Sequence, residues 1–139
     1  MNALEQRCFD LTNLQRTRRR LRALAADAAL SDACRRHSED MLKRRFFAHL
    51  NPDGQAPADR LAAAVRRPAW ASAENLWMRS GPLPATTLPA VIEQAVAQWM
   101  TSPAHRHNIM NAVYTHLGIG VAVTASELRV TQLFARFEG

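Results

Sequence analysis

The stretch YTHLGIGVAVT, residues 114–124, decides the fold class of this 139-residue chain. Large apolar residues alternate there with Gly, Ala and Thr, which is the period-two pattern of a β-strand. A turn near residues 125–127 leads into a second segment, residues 128–137, that is rich in Val, Thr and Phe. Together they predict an antiparallel hairpin. Gly118 and Gly120, inside the first strand, predict a neighbour packed closely on that face.

The chain before the hairpin has helical periodicity. Leucines and Cys8 recur at three-, four- and seven-residue steps between residues 2 and about 25, which predicts an amphipathic helix. A second helix is expected from an N-cap at Ser31 to about residue 45. A short helical piece near residues 58–65 follows, and then a helix capped by Thr86 or Thr87 and ended by Pro103. Helices followed by a hairpin indicate an α+β domain, with the helices covering a small antiparallel sheet.

The composition is that of a globular protein, with 47% apolar and 22% charged residues. The length suits one domain over residues 1–139. No apolar run approaches the roughly 18 residues that a membrane helix needs. The first twenty residues lack the apolar segment of a signal peptide. We therefore expect either an intracellular protein or an export segment outside this chain.

The formal net charge is +6, and Lys43 is the only lysine. Such a balance favours weak attraction to anionic surfaces. Arginines fill most polar positions in residues 16–22, where a solvated helix face is expected. Contact of these arginines with nucleic-acid phosphates is the alternative, which the absence of interleaved aromatic residues disfavours.

The two cysteines, Cys8 and Cys34, lie on the apolar faces of the first two predicted helices and have no metal-type spacing. Buried thiols that pack as small apolar side chains are one interpretation. A disulfide joining the two helices is the other, and it would need an oxidising compartment.

The sequence contains no P-loop, dinucleotide fingerprint, zinc-protease helix or nucleophile elbow. Function must therefore come from residues that are distant along the chain. Several short blocks resemble bacterial CAP domains, a superfamily that includes cysteine-rich secretory proteins, antigen 5 and plant pathogenesis-related proteins. The blocks follow the family's order and spacing, at residues 14–18, 44–49, 52–54, 59–60, 73–76, 99–100, 102–106, 108–110, 114–121 and 131–134.

The resemblance implies a three-layer α-β-α sandwich with a cleft that holds histidines and acidic residues. At the family positions, His49 is the first histidine, Glu74 the first acid and His105 the second histidine. Three more residues are expected to line this cleft: Asn75, Trp77 and Ser102. Ser102 stands where animal and plant members have a second acid, and this difference weakens the expectation of a strong metal site. The family also suggests an extracellular or cell-envelope location.

Two imidazoles and one carboxylate, with water, would suit an open tetrahedral site for Zn²⁺ or another divalent cation. The same groups could instead act as acid and base near neutral pH, and Glu74 could instead serve only to satisfy backbone donors under a loop. Three functions follow: a module that binds a lipid or a cell-envelope ligand, a hydrolase with or without zinc, and a basic nucleic-acid binder. The first is favoured because no nucleophile is evident.

The other histidines have simpler interpretations. His37 falls on the apolar stripe of the second helix and is expected to be a hydrogen-bonded core histidine. His107 is two residues from His105, a spacing that points side chains apart on a helical turn. His116 begins the first hairpin strand and is expected to be exposed.

Overall fold

The computed structural model describes residues 1–138. Its centre is a four-stranded mixed sheet in the order β1-β3-β4-β2. The strands are β1 (Ala25–Ala26), β2 (Ala69–Ser80), β3 (His116–Val123) and β4 (Glu127–Phe137). Within the described residues the sheet is accompanied by α1 (Ala3–Thr17), α2 (Ala28–Lys43), α3 (Pro57–Ala64), α4 (Leu88–Thr101) and α5 (Pro103–Ile109), with a 3₁₀ turn at Ala85–Thr87. The fold is α+β, as predicted.

The helices form two layers, one on each face of the sheet. On one face, Gln132 of β4 donates to Thr12 of α1. On the other face, the neighbouring Thr131 shares a hydrogen bond with Ser38 of α2. Helices α4 and α5 lie on the α1 side, and α3 lies beside α2. The predicted three-layer α-β-α arrangement is confirmed.

The carboxyl-terminal hairpin is also confirmed. Strands β3 and β4 pair antiparallel, from His116 opposite Ala135 to Val123 opposite Leu128. The neighbour predicted from the two glycines is the backbone of α2. A Cβ atom on Gly120 would lie 2.0 Å from the amide nitrogen of Arg35. Because no side chain separates them, α2 packs directly on β3.

The first helix is shorter than predicted. It ends at Thr17, and Arg20 then takes a left-handed backbone conformation with φ of 62°. The chain next places Leu24 in the core and forms β1, whose Ala25 amide donates to the carbonyl of Thr115. Leu24 continued the apolar spacing without being helical, which is why periodicity alone extended the helix too far.

Arg16 does not belong to a solvated helix face. Its side chain is buried, and its guanidinium donates to the carbonyls of Arg22, Ile109 and Asn111. The expectation of exposure was wrong at this position. Burial is tolerated because the three carbonyls satisfy a charge that would otherwise be costly to desolvate.

Helix α2 begins four residues earlier than predicted. Its N-cap is Asp27, whose side chain accepts from the amide of Leu30. Ser31, the predicted cap, lies inside the helix and is buried, and its hydroxyl accepts from the amide of Ile119 at 3.2 Å. The serine therefore joins α2 to β3 and caps nothing.

Strand β2 was not predicted from the sequence. It is an edge strand paired antiparallel with β4, with Glu74 opposite Leu133. Helices cover both of its faces, so all four residues from Glu74 to Trp77 are buried and the alternation of polar and apolar residues disappears.

The two cysteines are free and buried, as the first interpretation had it. Cys8 packs in the core between α1 and the sheet, whereas Cys34 packs on the α2 face. The sheet separates them, so the disulfide alternative was wrong. Burial raises the pKa of the Cys8 thiol to about 12. Separately, no helix in residues 1–138 is both long and apolar enough to cross a membrane.

Candidate functional site

Glu74 is the buried centre of the candidate site. Only 1% of its side chain is exposed. Oε2 accepts from Nη1 of Arg60 at 2.8 Å, and Oε1 accepts from Nη2 of Arg60 at 3.1 Å. Oε1 also lies 2.8 Å from Nδ1 of His49. Both oxygens of the carboxylate are therefore engaged by protein donors.

Arg60, on α3, is a site residue that was not singled out from the sequence. Besides its two bonds to Glu74, its Nη2 donates to the backbone carbonyl of His49 at 2.7 Å. One buried guanidinium thus holds both the acid and the loop that carries the first histidine. The only sequence signal was the block at residues 59–60, which supported the family resemblance without indicating a role.

The loop after α2 is held by its own side chains. Asn51 is buried, and its Oδ1 accepts from the amides of Asp53 and Gln55. Gly54 takes φ of +81°, which favours glycine and completes the turn. Beneath the loop, Nε2 of the buried His37 donates to the carbonyl of Ala48 at 2.9 Å. The predicted hydrogen-bonded core histidine is confirmed, and it supports the residue before His49.

His49 projects from this loop with 55% of its side chain exposed. Its pKa is raised, first by the hydrogen bond to the Glu74 carboxylate, against an opposing effect of burial. Since Glu74 occupies Nδ1, the outer ring nitrogen Nε2 is the atom available to a ligand. His49 is thereby biased toward the protonated, donating form.

His105 enters the site from the opposite helical layer, on α5. Its Nδ1 lies 2.7 Å from Oγ of Ser102. Burial lowers its pKa, and the positive charge of His49 lowers it further. Asn75, the residue after Glu74, donates to the backbone carbonyl of His105, so the segments that carry the two histidines meet at neighbouring residues of β2. The two imidazoles are biased in opposite directions, His49 toward the charged form and His105 toward the neutral form.

A chain of amide side chains, two of them buried, anchors α5. Nδ2 of Asn75 donates to the carbonyl of His105 at 3.1 Å and to Oε1 of Gln132 at 3.0 Å. Asn108 donates to Oδ1 of Asn75, and Gln132 donates to Thr12 on α1. Asn75 therefore acts behind the cleft, where it fixes the position of the second histidine.

The structure places three other residues considered from the sequence, Trp77, His107 and His116, outside this site. Trp77 faces α4, where its Nε1 donates to Gln98 at 2.7 Å, so the structure does not bring it to the cleft beside Glu74. His107 is exposed, whereas His116 is only half-exposed and packs edge-on against Phe137. The expectation of an exposed His116 was wrong because Phe137 of β4 covers one side of its ring.

The residues do not fit the three-ligand metal site that the resemblance suggested. A cation bound by Glu74 would have to compete with the guanidinium of Arg60 for the same two oxygens. In the part of the chain that the structure describes, no group of three or more His, Cys, Asp or Glu side chains is placed to hold a metal ion.

Residues 9–134 match the sequence profile of the family described as CAP, the cysteine-rich secretory protein family. The chain belongs to this family. It is 31% identical over 126 residues to the uncharacterized protein YkwD of Bacillus subtilis, covering 91% of this chain and 45% of that protein. It is 32% identical over 117 residues to the uncharacterized membrane protein YlbC of the same organism, covering 84% of this chain and 31% of that one. The chain spans less than half of either relative.

Solved structures share the fold. An extracellular protein of Bacillus anthracis that contains an SCP domain is 31% identical and superposes with a TM-score of 0.77, covering 97% of this chain and 41% of that chain. An outer surface protein of Borrelia burgdorferi gives a TM-score of 0.79 at 18% identity, with 94% of this chain and 90% of that chain covered. The second likeness concerns the fold alone.

Proposed function

We propose that this domain is a binding module that holds a polar component of the cell envelope in the cleft between His49 and His105. The observation that carries the proposal is the pair of imidazoles from opposite helical layers. Each is oriented through Nδ1, by Glu74 or by Ser102. In residues 1–138, neither Nε2 has a hydrogen-bond partner.

The opposite pKa shifts give the cleft complementary chemistry. The raised pKa of His49 favours a ring that donates from Nε2, and the lowered pKa of His105 favours a neutral ring, whose Nε2 is an acceptor when Nδ1 carries the proton and donates to Ser102. A ligand with an anionic or hydroxyl oxygen for the first ring and a hydroxyl or amide hydrogen for the second would satisfy both. Glycans and short peptides carry these groups. Sterols and fatty-acid chains do not fill such a polar lining, so a polar ligand is favoured over a lipid.

A neighbouring hollow offers room for a larger ligand. It has a volume of about 490 Å³, lies between α2 and α3, and adjoins the site through Arg60 and Asn51. Two buried atoms of its lining residues, Nε of Arg60 and Nδ1 of His37, lack a partner within residues 1–138. The first is a donor. The second is an acceptor because Nε2 of His37 carries the proton given to Ala48. A hydroxyl group can pair with either kind of atom.

The cell-envelope assignment draws on the relatives. Their names describe a membrane protein, an extracellular protein and an outer surface protein. A domain of this family, carried by a protein with an export or anchoring segment, would meet polysaccharide and peptide of the envelope. The location of the whole protein is part of the proposal.

The test is NMR titration of the ¹⁵N-labelled domain with soluble fragments of bacterial peptidoglycan. We expect shift changes at His49, His105 and their neighbours, and their loss in the double variant His49→Gln/His105→Gln. His107→Gln is the matched control because that exposed histidine lies on the same helix as His105. Absence of shifts in the wild type, or equal shifts in the double variant, would contradict the proposal.

A hydrolase is the second candidate, and one contact favours it. Oγ of Ser102 lies 2.7 Å from a ring nitrogen of His105, the distance at which a histidine can accept a serine proton. Turnover of p-nitrophenyl acetate by the wild type and its loss in Ser102→Ala would support this candidate. Equal rates in Ser102→Ala and wild type would exclude Ser102 as a nucleophile.

A further inference from the structure

The net positive charge of the chain is concentrated at one end of the sheet. Three segments, residues 18–27, 66–70 and 135–138, contain seven arginines but only two acidic residues, Asp27 and Glu138. They therefore carry five of the six net positive charges. We call these segments the arginine-rich end; its arginines are Arg18, Arg19, Arg20, Arg22, Arg66, Arg67 and Arg136.

The strand pairing brings these segments together. Strand β1 pairs with the first residues of β3, and these pair with the last residues of β4. The start of β2 pairs with the same end of β4, with Ala69 opposite Phe137. Side chains also join the segments, since the Arg67 guanidinium lies 4.0 Å from the Phe137 ring centre and 3.9 Å from Asp27.

Trp70 is the exposed aromatic residue of this end. The register of β2 against β4 shifts between Ala69 and Ala71, so Trp70 occupies a bulge with no partner on β4. Bulges commonly redirect a side chain away from the regular pleat. The Trp70 side chain is 56% exposed, and the guanidinium of Arg136 lies 5.7 Å from its ring centre.

From these observations we infer that the arginine-rich end is a docking surface for a bilayer with anionic lipid headgroups. An indole beside arginines is the combination that settles at a membrane interface. Each arginine near an anionic surface adds about fivefold in affinity. Nucleic-acid stacking instead uses successive aromatic rings, whereas Phe137, the other aromatic residue of these segments, is buried.

The arginine-rich end is a surface separate from the cleft, and docking there does not require the cleft ligand. Trp70 and Glu74 share β2 and are four residues apart, which is about 13 Å along a strand. Docking at the arginine-rich end would therefore hold the cleft close to the headgroup layer. The loop after α2 begins near the other end of the sheet, where residues 45–47 line a hollow with Met78 and Ser126, so docking would leave this part of the loop uncovered.

The test is cosedimentation with vesicles of phosphatidylglycerol and phosphatidylcholine, with pure phosphatidylcholine vesicles for comparison. We expect binding to the anionic vesicles only, weakening with salt. Arg18→Glu/Arg66→Glu should lose on the order of 25-fold or more in affinity. Arg36→Glu/Lys43→Glu, two positions on α2, makes the same change in net charge and should lose much less.

Tryptophan fluorescence gives a second readout. Trp77 and Trp99 are buried, so a blue shift on vesicle addition reports Trp70, and Trp70→Ala should abolish it. Equal losses in the two double variants would overturn the inference, because only total charge would then matter. Retention on duplex DNA without vesicle binding would also overturn it, in favour of a nucleic-acid partner. The NMR titration of the cleft is independent of all these outcomes.

Discussion

Two buried glutamates, one on the first helix and one on the edge strand β2, are built from similar parts but face different surroundings. Glu5 of α1 binds Nε and Nη2 of Arg35 on α2. Glu74 of β2 binds both terminal nitrogens of Arg60 on α3. In each case a buried carboxylate is matched by a forked guanidinium, which makes its burial tolerable.

They differ in the remaining donors. Glu5 also accepts from the backbone amides of Asn2 and Val121, so this cluster closes on itself and joins α1, α2 and β3. The additional donor of Glu74 is His49, a side chain that reaches solvent. The first cluster therefore serves the fold, whereas the second extends its charge to a surface where a ligand can respond to it.

The largest effect on stability is expected where α2 approaches β3, beside the cluster around Glu5. In Gly120→Ala, the new Cβ would meet backbone atoms of Cys34 and Arg35 at 2.1 and 2.0 Å. Neither can move without shifting α2, so we expect destabilisation of about 3 kcal/mol or more, measured by urea unfolding. Gly81→Ala is the comparison: nothing lies within 4 Å of its Cβ, so its cost, about 1–3 kcal/mol, comes only from its φ of +116° and not from a steric clash. If Gly120→Ala is the milder of the two, the direct contact of α2 with β3 is wrong.

The next largest effect is expected at Glu5. Glu5→Ala leaves the amide of Val121 without its acceptor and Arg35 without its partner. We expect the free energy of unfolding, measured with urea, to fall by about 2–3 kcal/mol. This is below the usual range for a buried ion pair because 32% of the Arg35 side chain is exposed. Glu93→Ala removes the exposed pair that joins Arg7 of α1 to α4, and should cost less than about 1 kcal/mol. Comparable losses in the two variants would contradict a structural role for Glu5.

The pH dependence of stability follows from the same cluster. Burial would raise the pKa of Glu5, but the hydrogen bonds from Arg35 and the two backbone amides hold it below its usual range. Because the folded-state pKa lies below the unfolded value, the stabilisation is present above the unfolded pKa and is lost as pH falls through the folded one. Glu5→Ala should therefore show a weaker loss of stability between neutral and acidic pH than the wild type.

The contrast between the clusters also marks what the sequence could predict. The hairpin and its close neighbour followed from alternation and from Gly118 and Gly120. The site residues His49, Glu74 and His105 came from family blocks, because no local motif joins residues so far apart. Glu5 did carry a local signal, since Asn2 and Glu5 have the spacing of a capping box, which the structure contains.

Other features could not be read from one sequence. Strand β2 has helices on both faces, which removes the alternation that marks a strand. The roles of Arg35 and Arg60 depend on which helix packs against which strand edge, and a charged residue in an amphipathic pattern looks solvated until that packing is known. The prediction that Arg16 is solvated was wrong for the same reason, since its three carbonyl partners come from other parts of the chain.

At the cluster around Glu74, which reaches solvent through His49, we expect a smaller effect, a change in the pKa of His49. Glu74→Gln keeps the shape of the side chain but removes the charge that favours protonated His49, so the pKa of His49 should fall. The wild-type histidine has a folded-state pKa above its unfolded value; its contribution to stability is therefore present below the unfolded pKa and is lost as pH rises through the folded one. NMR titration of the imidazole protons measures the shift. An unchanged His49 pKa would show that the contact with Glu74 is not maintained in solution.

The smallest effect tests whether the two histidines share one cleft. The pKa of His105 is lowered mainly by burial and additionally by the charge of His49. In His49→Gln, only the second cause disappears, so the pKa of His105 should rise but stay below its ordinary value of 6.5. His107→Gln removes an exposed histidine from the same helix and should leave it unchanged. Since the coupling of His49 and His105 crosses from one helical layer to the other, an insensitive His105 would mean that the layers do not bring these rings together. The cleft would then be two separate surfaces.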